Sequence, residues 1–141
     1  MKKLGRLLLP FLVAGTISAF AQNSRTIQVD VIYSGSGTVD ASHKIYVALW
    51  PSTDFDSGPP AEVKSIESKK GTVTFTDVQT VPAYVSVAYD PTGNWQAQSG
   101  PPSGSSLGMY SDHPPTPTPI NVAPGKTVRI RITFDDKIRV P

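Results

Sequence analysis

Three groupings in this chain hold side chains of the kinds that do chemistry. Ser111-Asp112-His113 sets the residue types of a hydrolytic triad side by side. A triad is a spatial arrangement rather than an adjacent run, and in a proline-rich setting these are more simply turn residues. Asp54-Phe55-Asp56-Ser57-Gly58 starts like a calcium loop, yet Ser65 stands where the closing glutamate would be. Asp90 and Asn94 offer oxygens at the mouth of a long loop, too few for a cation that takes six to eight. Asp90 reads instead as an Asx-type cap on a strand end, with Pro91 fixing the bend. His43 and His113 are the only histidines and there is no cysteine, so no transition-metal spacing exists. No Gly-x-Ser-x-Gly elbow or phosphate loop is present. The expectation is no enzyme, no cofactor and no metal.

Binding suits the residue types better. Trp95, Met109 and Tyr110 share the stretch 90–119 with Asp90 and Asn94, and Trp50 precedes it. An aromatic face stacks on a sugar ring or on a partner's apolar side chain, and Trp and Tyr add a polar handle. Trp95 and Tyr110 could equally fold back over one end of the domain, as a loop of about 30 residues requires such anchoring. Seven of the 14 prolines fall between Pro91 and Pro119. They stiffen the segment, which lowers the cost of holding it against a partner. Asp90, Asn94, Trp95, Met109 and Tyr110 are the candidate binding residues. Arg129 and Arg131, two apart on one strand face, read as a solvated face with acidic cross-strand neighbours.

The elements that must position these residues are strands. Lys2, Lys3 and Arg6, the apolar run Leu7–Phe20 and Ala19-Phe20-Ala21 have the order of a secretory signal peptide over 1–21. The apolar run falls short of the roughly 20 residues of a membrane span. Removing it leaves 10 basic against 11 acidic residues, without the basic field that nucleic acid requires. The remainder is one domain, 22–135, followed by a charged and frayed tail, 136–141. With no cysteine, packing carries the stability.

Thr26–Tyr33, Thr72–Val78 and Thr127–Phe134 alternate apolar and polar residues, as half-buried strands do. Lys44–Trp50 is apolar on both faces and ends at Pro51, which suits a strand near the middle of a sheet. Pro82–Tyr89 reads as a central strand, Ala61–Ser68 as a weaker one and Pro119–Val122 as a short one. About seven strands without a helical period predict an all-β, antiparallel β-sandwich with a long proline-rich loop.

Gly71–Val78 followed by Pro82-Ala83-Tyr84-Val85 resembles a motif of the carboxypeptidase regulatory-like, transthyretin-like sandwich, with Ala83 where a glycine usually stands. Ile45–Phe55 and Val85–Tyr110 resemble a secreted bacterial family known only as a domain of unknown function. Its parts read here as Val87-Ala88-Tyr89-Asp90, Gly93-Asn94, Gly100-Pro101-Pro102 and Tyr110-Ser111. Gln96 and Gln98 occupy the region where that family often carries a further aspartate. The resemblance implies a sandwich and leaves the activity open.

Together these readings predict an exported, non-catalytic binding or accessory domain of the cell envelope, periplasmic or extracellular. It would contact a protein or glycan through 90–119, with no nucleic acid and no membrane span in the mature chain. Two alternatives are a structural envelope protein that self-associates into a homo-oligomer and a carrier for a small apolar ligand.

Overall fold

Alternation of burial along each strand generates the architecture. In the computed structural model, which describes residues 23–141, β1 (Thr26–Tyr33) buries Ile27, Val29, Val31 and Tyr33 and turns the residues between them outward. The same rule governs β2 (Ile45–Trp50), β4 (Lys70–Phe75) and β7 (Thr127–Phe134), while β3 (Glu62–Ile66) and β6 (Ser106–Met109) are shorter. β5 (Tyr84–Tyr89) buries Val85, Val87 and Tyr89. The signal peptide expected over 1–21 lies outside the described residues.

The seven strands form two sheets, β4-β1-β7 and β3-β2-β5-β6, whose inner faces meet in one core. This is the expected β-sandwich, with one departure from its expected direction. β1 pairs with β7 in parallel, Thr26 opposite Thr127 and Tyr33 opposite Phe134, whereas the other pairings are antiparallel. The chain crosses between sheets after β6 and so enters β7 from the same end as β1. Phe75, Ile27, Ile45 and Val85 are fully enclosed, and each such side chain contributes roughly 1.5–3 kcal/mol of burial. Tyr33 closes one end of the core, its ring centroid 4.9 Å from both Tyr89 and Phe134.

Three sequence expectations require correction. The stretch Pro119–Val122 contributes a single bridge, Ala83 to Ile120, instead of a strand. The seventh strand is β6, where Gly108 interrupts an apolar pattern for a packing reason: a Cβ there would stand 2.6 Å from the Cβ of Phe134. The tail is not frayed. Its backbone pairs with β6, Leu107 N–H donating to the Ile138 carbonyl at 2.9 Å and Val140 N–H to the Ser105 carbonyl at 3.0 Å. Asp136 anchors that tail by accepting hydrogen bonds from the Tyr33 hydroxyl, from Ser106 Oγ at 2.7 Å and from Ser36 N–H at 2.8 Å. The Tyr33 hydroxyl, followed by the Ser36 amide, holds the Asp136 carboxyl well below the usual carboxylate range.

The outer faces differ in chemistry, and that difference places the site. Outside β4-β1-β7 stand Thr72, Asp30, Arg129 and Arg131; Asp30 accepts from Thr72 Oγ1 at 2.8 Å and from Arg129 Nε at 2.9 Å. Outside β3-β2-β5-β6 stand Tyr46, Ala48, Trp50, Ala88, Leu107 and Met109. Among the described residues, no helix is long and apolar enough to cross a membrane.

Candidate functional site: an aromatic groove on the outer sheet face

Tyr46, Ala48 and Trp50 occupy alternate positions of β2 and therefore share its outer face. Tyr46 and Trp50, four residues apart, stand about 13 Å from one another along the strand. Between them the floor is low, made by Ala48, Ser86 and Ala88. Each aromatic post is met by a second ring from a loop. Phe55, from the loop 51–61, lies on Trp50 with centroids 5.1 Å apart and planes tilted by 32°. Trp95, from the loop after β5, meets Tyr46 edge-on at 4.6 Å and 68°. Met109, Leu107, Pro115 and Pro117 complete a second wall, and the groove encloses about 1080 Å³.

The position of Trp95 follows from Asp90. Only 1% exposed, Asp90 accepts from Thr92 N–H at 2.8 Å, Thr92 Oγ1 at 2.6 Å and Trp95 N–H at 2.8 Å. Burial pushes its carboxyl up, but the Thr92 hydroxyl and the Trp95 and Thr92 amides outweigh it, so it lies below the usual carboxylate range. This is the Asx-type turn read from the sequence, extended to a third donor. Gly93 completes the turn at φ 74°, where an added Cβ would be 2.8 Å from the Ser42 carbonyl. The Tyr46 hydroxyl donates to the Trp95 carbonyl at 2.8 Å, and the Trp95 indole N–H to the Ser99 carbonyl at 3.0 Å.

Of the residues singled out in the sequence, Trp95 and Met109 line the groove, as does Trp50. Asp90 does not line the groove; it is buried and holds the turn that carries Trp95. Asn94 is exposed beside that turn, its N–H donating to Thr92 Oγ1 at 3.2 Å. Tyr110 packs against the core, its N–H donating to the Val85 carbonyl at 2.9 Å. Sequence reasoning did not single out Tyr46 or Phe55. The signal for Tyr46 was the apolar character of both faces of Lys44–Trp50. Phe55 gave none, being an isolated aromatic in a polar loop.

The charges at the groove are of one sign. Asp54, Asp56 and Glu62 line it, and among the described residues no Lys or Arg does. Asp54 Oδ1 accepts the N–H groups of Asp56 at 3.1 Å and Ser57 at 3.2 Å. The Ser57 hydroxyl and then the Asp56 amide hold its carboxyl below the usual range. Among the described residues there is no cluster of three or more His, Cys, Asp or Glu that could hold a metal. In Ser111-Asp112-His113, the Ser111 hydroxyl donates to the Thr116 carbonyl and accepts His113 N–H at 3.1 Å, which makes the segment a turn. No family model, curated protein or solved structure matches the chain.

Proposed function

We propose that this chain is an exported, non-catalytic binding domain of the cell envelope, and that the groove between the 51–61 loop and the 90–119 loop receives its protein or glycan partner. The carrying observation is that both tryptophans of the chain, Trp50 and Trp95, line one groove on the outer face of a sheet. Large aromatics left half-buried beside a low floor present area that only a ligand covers. The export part of the reading rests on the order of residues over 1–21, and the envelope part on the resemblance to a secreted family.

The test is capture by the immobilised domain from an envelope extract and on a glycan array, with Trp95→Ala and Phe55→Ala beside the native chain. Loss of the captured species in both variants, with unchanged circular dichroism, supports the reading. Capture that is the same in all three removes the groove from the function.

A further inference from the structure

We propose that the occupant of the groove is an extended, proline-containing peptide segment bearing Lys or Arg, with the cationic head seated at the Phe55 end. The inference rests on the reading of the groove as the binding site and names the partner's chemistry.

Charge complementarity decides the sign. Among the described residues, Asp54, Asp56 and Glu62 are the charged ones of the lining. Among the described residues Glu62 pairs with Lys64 at 3.7 Å, and both side chains are about two-fifths exposed (42% and 39%), so the pairing is loose. Asp54 and Asp56 flank Phe55, whose ring lies on Trp50. A cation there meets carboxylates and aromatic faces at once, and each attraction strengthens as the site is covered.

Hydrogen bonding decides against a sugar. The polar handles of the three aromatics that carry one are already used within the chain. Tyr46 OH goes to the Trp95 carbonyl, Trp50 Nε1 to Ser86 Oγ at 2.9 Å and Trp95 Nε1 to the Ser99 carbonyl. What the groove presents is apolar ring area, the carboxylate oxygens of Asp54, Asp56 and Glu62, and the exposed polar side chains of Thr53, Gln98 and Ser99. A ring of hydroxyls laid between the posts, over Ala48 and Ala88, would leave polar groups unpaired, which costs about 1–3 kcal/mol for each buried one.

Backbone geometry decides the conformation. The floor strands β2 and β5 are interior, paired on both sides, so a peptide on this face has no edge to extend. Polyproline II needs none, because its backbone makes no internal bonds and stays solvated. At about 3.1 Å per residue, four residues of such a helix span the distance between the Tyr46–Trp95 and Trp50–Phe55 posts. Proline rings already pack on this face, since Pro115 and Pro117 of the chain itself form part of the wall.

Decapeptides of alternating Pro and Lys, Pro and Gln, and Pro and Glu, together with neutral cello- and chito-oligosaccharides, are titrated against the full domain. Tryptophan fluorescence and calorimetry report binding, Trp50 and Trp95 being the only two tryptophans. The Lys peptide is expected to bind tightest and the Glu peptide not at all. Asp54→Asn combined with Asp56→Asn, which keeps the turn's acceptor oxygen, should weaken the Lys peptide by about tenfold or more and flatten its salt dependence. A Lys peptide no tighter than the Glu peptide, or one indifferent to the double variant, overturns the proposal. Oligosaccharide binding that depends on Trp95 and exceeds the peptides overturns it while keeping the groove as the site. Binding of neither class overturns both.

Discussion

Tyr46 and Trp95 are joined twice, by a 2.8 Å hydrogen bond from the phenol to the tryptophan carbonyl and by edge-on ring contact at 4.6 Å. One residue belongs to an interior strand and the other to a loop that starts at Asp90. The pair is therefore the clasp that fixes a loop wall to a sheet floor.

Tyr46→Phe keeps the ring contact and removes the clasp's hydrogen bond. Its expected cost is about 1 kcal/mol, measured as a lower denaturant midpoint. In a Trp50→Phe background, where Trp95 is the sole emitter, acrylamide should quench the fluorescence more strongly. Quenching equal to that of the parent would show that the bond does not hold the loop.

Asp90→Ala strands three donors beneath the loop. The loss should be about 2–3 kcal/mol, since bonds to a charged acceptor exceed neutral ones. Asp90→Asn, which keeps one oxygen acceptor, should recover part of it. Equal midpoints for Asp90→Ala and the native chain would mean the turn forms without its carboxylate.

Both Asp90 and Asp136 have carboxyls held below 3.8, their ordinary value when unfolded. Each therefore stabilises the fold fully above that value, and the contribution falls away as the pH drops through it toward the lower folded pKa. Denaturant midpoints should fall steeply below about pH 4, and Asp136→Asn should have the shallower slope there. Parallel slopes would show that Asp136 is not a source of the acid sensitivity.

Alternation made β1 and β7 legible to the residue, because a half-buried strand must repeat with period two. β6 was illegible because its composition answers to close contact with Phe134 at Gly108 and not to strand preference. The groove was half legible. The doubly apolar β2 is an interior strand, as its composition predicts, but its second apolar face is the floor of the groove and not a second buried layer. No local pattern could announce that Trp95 would meet Tyr46 across 49 residues, since that contact depends on the paired sheet and on the Asp90 turn together. Tyr110 and Trp95 looked alike in composition. They separate because the residue after β6 points into the core while the Asp90 turn carries Trp95 over the outer face.

Deleting residues 138–141 removes the acceptors of Leu107 N–H and of Gly104 N–H, the latter 2.9 Å from the Val140 carbonyl. β6 then becomes a bare edge, the kind that pairs with other chains. The truncated chain should exchange its Leu107 and Gly104 amides faster and elute as larger species at high concentration. A monomer with native exchange rates would show that the tail is dispensable.

Because β1 is flanked by β7, residues from the two ends of the described chain must meet before the three-stranded sheet exists. Such long-range closure comes late and slowly. A nascent polypeptide thus lacks one of the two neighbours of its first strand until Phe134 emerges from the ribosome.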